Sequence, residues 1–184
     1  MPKEISSINK TILNFWFTPP IKKHWFSSTP EIDQKIFDNY HTLWQEAQSG
    51  QYDELKNTAT GCLALCILLD QFPLNMFRGK PESFSTEQQA VAISKQAIQN
   101  KLDKALSDEQ VMFLYMPLMH SENIDDQNLS VHSFEKRGLD TRFAKHHREI
   151  IKTFGRFPHR NQILKRKSTK EELEYLASDK AFTG

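Results

Sequence analysis

Side chains able to do chemistry gather in three short stretches of the sequence. The first holds Asp70, Asn75 and Arg78, the second Tyr115, His120, Glu122 and Gln127, and the third Arg156, His159, Arg160 and Asn161. Arginine presents paired planar donors that match a carboxylate or a phosphate. These residues therefore form a candidate ligand-binding set for a small anion or acidic metabolite. In the competing reading the same arginines pair with Asp70, Glu122 and Asp126 and fix loop geometry, as buried charged networks do. Histidine beside a carboxylate is also what proton transfer needs, so His120 or His159 with Asp70 or Glu122 could serve acid–base catalysis.

Other chemistries find less support. His120, Glu122, Asp125, Asp126, His146 and His147 are residue types that bind zinc or manganese. No H-x-x-x-H or H-E-x-x-H spacing occurs, and adjacent histidines on a helix point about 100° apart, so no metal site is expected. No serine or cysteine lies in a nucleophile motif. The pattern names no cofactor.

The element that must position these groups is the run from Gly61 to Gly79. Cys62 to Leu69 is apolar on every side, rich in leucine and poor in β-branched residues, which predicts a helix starting near Thr58 in the middle of a bundle. Pro73 is expected to end it. Asp70 would then lie in the last turn, opposing the helix dipole and partly buried. A buried carboxylate needs a partner, expected to be an arginine from one of the two Phe-Pro segments.

The rest reads as helix after helix. Ser6 or Ser7 can cap a first helix that stops at Pro19-Pro20. Thr29-Pro30-Glu31 starts a second, with Ile32, Ile36, Tyr40, Leu43, Trp44 and Ala47 on one face before Gly50. Further starts fall at Ser85 or Thr86, at the Ser107 to Gln110 capping box, at Ser121, at Asp140 and at Ser168 or Thr169. Pro117 is expected to cut the Ser107 helix, Gly155 to cap the Asp140 helix with Phe143, Ile150, Ile151 and Phe154 on its apolar side, and Leu173 and Leu176 to be buried by the last one. No segment alternates with period two, so the fold class is all-α, a single domain over residues 1–184 with about seven to nine helices.

Length and charge exclude more than they name. The 184 residues suit one domain with a sizeable core, and 24 basic against 23 acidic residues leave a net charge of +1. Nucleic acid is therefore an unlikely partner, since the single basic run, Arg156 to Lys167, is short. The run at 62–69 is far below the roughly 20 residues of a membrane span, and the first residues lack the apolar stretch of a secretory leader. Cys62 and Cys66, one turn apart, suit small core residues in a reducing compartment. A cytoplasmic protein with no membrane partner is the expectation.

Two segments echo one another, Gln71-Phe72-Pro73 with Asn75 and Arg78, and Arg156-Phe157-Pro158 with Arg160 and Asn161. A true repeat would set two Phe-Pro loops face to face around a pocket. The markers Phe15-Trp16-Phe17, Leu69-Asp70-Gln71-Phe72-Pro73, Phe77-Arg78-Gly79, Tyr115-Met116-Pro117-Leu118, His120-Ser121-Glu122, Asp126-Gln127 and Gly155 to Asn161 resemble domain-of-unknown-function family 924, over about residues 12–182. The resemblance implies a compact, all-helical, tetratricopeptide-like fold and no established activity. Leu74 and Met119 depart from its pattern, where an arginine and a glutamate are usual. A tetratricopeptide-like fold also raises a second kind of partner, a protein or peptide held on stacked helices.

Overall fold

The computed structural model describes residues 2–182, with side chains from Ser7 onward. The side chain of Ser6, and residues 1, 183 and 184 of the expected domain, lie outside the described residues. Nine α-helices form among those described, and no strand does. They are α1 (Pro2–Trp16), α2 (Pro19–Lys22), α3 (Pro30–Gln48), α4 (Ala59–Met76), α5 (Glu87–Gln99), α6 (Asp108–His120), α7 (Ile124–Arg137), α8 (Arg142–Phe154) and α9 (Lys170–Leu176). Helix α4 runs through the middle and packs on α1, α3, α5 and α6, while α6, α7 and α8 pack in sequence beside it.

Local chemistry explains where most helices begin. Thr29 accepts from the Ile32 N–H and Thr58 from the Gly61 N–H, while Ser107/Gln110 and Thr169/Glu172 form reciprocal capping boxes. Gly50, Gly138 and Gly155 follow α3, α7 and α8 with positive φ. Two starts differ from expectation. Asn123, not Ser121, caps α7 by accepting from the Asp125 and Asp126 N–H groups. Thr141 precedes α8, with Asp140 accepting from the Arg142 N–H. The amphipathic readings of α8 and α9 also need correction, because Phe143 and Leu173 are exposed. In α9 the buried residue is Glu172, held by an arginine rather than by apolar packing.

Neither interior proline ends its helix. Pro73 lies inside α4 because residues Ile67–Gln71 widen into a π turn, in which the Phe72 N–H donates to the Ile67 carbonyl. Pro73 has no N–H for the Leu69 carbonyl, and the Thr86 hydroxyl donates to it instead at 2.6 Å. Pro117 likewise lies inside α6, and Ser94 Oγ donates to the nearby Leu114 carbonyl at 2.6 Å. At 18 residues α4 is long and apolar enough to cross a membrane, but most of it is covered by the chain's own helices, as in a core helix. Cys62 and Cys66 are free and buried within it.

The two Phe-Pro segments are consequently not equivalent. Phe72-Pro73 is helical, whereas Phe157 is extended and Pro158 opens a short 3-10 turn, Pro158–Arg160, after Gly155 has ended α8. They do not form a pair of facing loops, and the echo is one of sequence alone.

Candidate functional site

The π turn of α4 carries Asp70 into the protein interior, where it is 4% exposed. Its partner is not an arginine. Both carboxylate oxygens lie 2.9 Å from Nδ1 of His120, the last residue of α6, and Gln71 Nε2 donates to Oδ2 at 2.5 Å. With Asp70 as a carboxylate, Nδ1 carries the donated hydrogen, and Nε2 points away from this bond. No hydrogen-bond partner for Nε2 occurs among the described residues. The end of α6 is fixed independently, since Gln127 Nε2 donates to the Met119 and Ser121 carbonyls at 2.6 and 2.7 Å.

Arg160 closes one side of this pair. It is 5% exposed, and its Nη2 donates to the His120 carbonyl at 2.8 Å while Nη1 donates to Glu87 at 2.7 Å. Its guanidinium lies over the rings of Phe84 and Phe157, 4.4 and 4.7 Å from their centroids. Burial, with Asp70 also close, raises the Glu87 pKa despite the Arg160 charge.

A second layer of ion pairs holds the segment after α8. Burial pushes the Glu122 carboxyl up, but Arg166, bidentate at 2.7 and 2.9 Å, and the Phe157 N–H at 2.7 Å outweigh it and leave its pKa lowered. Arg156 grips Glu172 through Nε and Nη2 at 2.7 and 2.9 Å, and Asn161 Nδ2 donates to the same carboxylate at 3.1 Å. The Arg156 bonds hold the Glu172 pKa at about 2. Asn161 Oδ1 in turn accepts from Arg166.

Two more histidines stand beside His120. The His147 ring centroid is 6.4 Å from that of His120, and its Nδ1 is 2.8 Å from the Phe143 carbonyl. That bond makes Nδ1 the donor and leaves Nε2 without a hydrogen-bond partner among the described residues. Burial lowers the His147 pKa to about 3, so the ring is neutral. Burial and then the Arg160 charge lower that of His159 to about 4. The Phe182 ring covers this group, 4.4 Å from His147, 5.1 Å from His159 and 6.4 Å from His146.

The candidate set thus divides. Asp70, His120, Arg160, Glu122 and His159 converge, Gln127 braces the end of α6, and Arg156 and Asn161 stand behind them. Asn75 and Arg78 do not join them. Asn75 donates to the Gln71 carbonyl, and Arg78 pairs with Asp33 at 2.7 Å beside an open depression lined by Pro30, Phe37 and Lys80. Tyr115 is also elsewhere, donating to Asp103 at 2.7 Å, and burial raises its pKa. The ion-pair partners differ from those expected: Asp126 takes Lys95 and Ser121, and the carboxylates on the candidate arginines are Asp33, Glu87 and Glu172. Glu87, Arg166, Glu172 and Phe182 were not among the candidates, and His147 entered only as one of several metal-ligand types. Among the described residues no three His, Cys, Asp or Glu side chains come together as metal ligands.

A model of a bacterial protein family of unknown function, DUF924, matches residues 12–180. The chain is also similar to a solved structure, that of protein of unknown function ATU0120 from Agrobacterium tumefaciens. The two share 33% identity, with 94% of this chain and 98% of that one covered at a TM-score of 0.86. No curated protein matches the chain. A family match across nearly the whole helical array, on a fold shared with a structure one-third identical, decides the relationship: the chain belongs to the bacterial DUF924 family.

Proposed function

We propose that this chain acts on a small molecule by general acid–base catalysis, with His120 as the group that exchanges the proton and Asp70 as its positioning residue. The observation that carries the reading is the bond of His120 Nδ1 to both oxygens of a buried carboxylate, which leaves Nε2 without a partner among the described residues. A buried carboxylate fixes the tautomer and stabilises the imidazolium formed when Nε2 takes up a proton. The π turn that presents Asp70 supports the reading, since single π turns inside α-helices occur frequently at functional sites. A cytoplasmic location belongs to the same reading and fits two buried, unpaired cysteines.

The test uses diethylpyrocarbonate, which acylates unprotonated imidazole nitrogen. His120 should be modified faster than free N-acetylhistidine at the same pH, and Asp70→Asn should slow that modification about tenfold. Nitrogen NMR of the imidazole should show hydrogen on Nδ1 in the wild type and a tautomer mixture in the variant. Equal rates and tautomers in the two folded proteins would leave Asp70 a structural residue and sink the proposal.

A further inference from the structure

Every guanidinium near His120 is already matched by a carboxylate. Arg160 is held by Glu87, Arg166 by Glu122 and, farther back, Arg156 by Glu172. Asp70 is left over, bonded to a histidine and a glutamine amide rather than to a cation with a permanent charge. Three carboxylates, Asp70, Glu87 and Glu122, thus surround the site against two guanidinium groups, Arg160 and Arg166. The donors an anion would need are largely spent on carboxylates, the Arg160 Nε–H being the exception, and an anion would meet Asp70 behind His120. Because Asp70 is buried, that repulsion is less screened than it would be at the surface.

Besides the Arg160 Nε–H, the groups without a hydrogen-bond partner here among the described residues are imidazole nitrogens. His147 spends Nδ1 on a backbone carbonyl and keeps Nε2 unbonded, while His159 has no hydrogen-bond partner among the described residues and packs between Phe157 and Phe182. Both are held neutral by burial, so they offer lone pairs and N–H groups rather than charge. Aromatic rings of Phe157 and Phe182 complete the wall.

We infer that the substrate group received at His120 is uncharged and polar, or cationic, and that His147 and His159 are the side chains that read it by hydrogen bonding. The inference rests on the acid–base reading of His120, and it replaces the anionic ligand suggested by the arginine content of the sequence.

Alkylation of His120 with two reagents of similar size separates the two claims. Nε2 displaces iodide from neutral iodoacetamide or from anionic iodoacetate, and peptide mapping distinguishes this from reaction at Cys62 and Cys66. The iodoacetamide-to-iodoacetate rate ratio at His120 should exceed that of N-acetylhistidine at least fivefold. Glu87→Gln, which leaves Arg160 uncompensated, should shift the ratio several-fold back toward iodoacetate, and Glu122→Gln provides the same comparison through Arg166 if the first variant does not fold. A ratio equal to that of free imidazole, a preference for iodoacetate, or no labelling of His120 by either reagent would overturn the inference. A slowed acylation in Asp70→Asn with no charge preference would remove this inference while leaving the acid–base reading in place.

Discussion

The Thr86 hydroxyl donates at 2.6 Å to the Leu69 carbonyl, the group that Pro73 four residues later cannot serve. The same hydroxyl accepts from Trp44 Nε1 at 3.1 Å, so one side chain from the start of α5 joins α3 to the interrupted turn of α4. Thr86 is 1% exposed and makes no capping bond of its own, because its oxygen is committed here. Thr86→Val keeps the shape and removes the hydroxyl, leaving a buried acceptor and a buried donor unpaired. Each such loss costs about 1–3 kcal/mol. Urea denaturation should therefore show a loss above about 2 kcal/mol for valine and a clearly smaller one for Thr86→Ser. Equal stability of the two variants would show that the carbonyl finds another partner.

Gly61 supports the other end of the same helix. A Cβ there would lie 2.1 Å from the Leu55 carbonyl oxygen and 2.7 Å from Thr58 Oγ1. The nearer atom is backbone and cannot rotate away, so Gly61→Ala must displace the Asp53–Asn57 turn or the first turn of α4. Overpacking of this kind costs about 1–3 kcal/mol or more, although alanine is intrinsically the better helix residue. A fall in melting temperature is expected; an unchanged or raised value would mean that the turn shifts freely.

How much of this was legible in the sequence depends on the distance over which each feature is decided. Helix starts at Thr29, Thr58, Ser107 and Thr169 rest on residues three apart, and the sequence places the first and third outright, the second near Thr58 and the last at Ser168 or Thr169. An isolated carboxylate in an apolar run likewise marks Asp70 as buried. Its partner is set by where α6 ends relative to the π turn, 50 residues away in sequence, and nothing local distinguishes His120 from an arginine there. Continuation of α4 through Pro73 is equally nonlocal, because it depends on Thr86. For the arginines, charge type was readable but pairing was not: Arg160 reaches Glu87 across 73 residues and Arg166 reaches Glu122 across 44. Phe143 and Leu173 fit an apolar stripe but remain mostly exposed, so periodicity alone misplaced them.

Arg160 illustrates the consequence for mutagenesis. Read as a ligand-binding surface residue it could be truncated at little cost, but its burial, its pair with Glu87 and its bond to the His120 carbonyl make it part of the frame. Arg160→Ala leaves Glu87, whose side chain is mostly covered, unpaired, and breaking one side of such a buried pair typically costs up to about 3–5 kcal/mol. The double variant Glu87→Gln/Arg160→Met removes both charges and should recover part of that loss. A coupling energy near zero in the double-mutant cycle would mean that the two residues act independently.

Acid should destabilise the fold in two overlapping windows that begin at different pH. His147 and His159 have folded pKa values depressed from 6.5 to about 3 and about 4, with burial the first cause in each. Between pH 6.5 and these values the unfolded chain binds protons that the folded chain refuses, so stability is fully present above pH 6.5 and falls as pH drops. The slope approaches about 1.4 kcal/mol per pH unit for each histidine where the two states differ by a whole proton. His147 feels His120, His146 and His159, and His159 feels Arg160, Glu122, His120 and Arg166, so substitutions at those positions would move the window. Glu172, held at about 2 by Arg156, contributes stability present above pH 4.5 and lost only as pH falls toward 2. Denaturation midpoints measured from pH 7.5 to 3 should therefore begin to fall near pH 6.5. His147→Gln should flatten the curve from pH 6.5 down to about 3, and Arg156→Ala should flatten only the part below pH 4.5. A wild-type curve flat down to pH 4.5 would mean that both imidazoles accept protons in the folded state, and the neutral histidines assigned to the site would have to be given up.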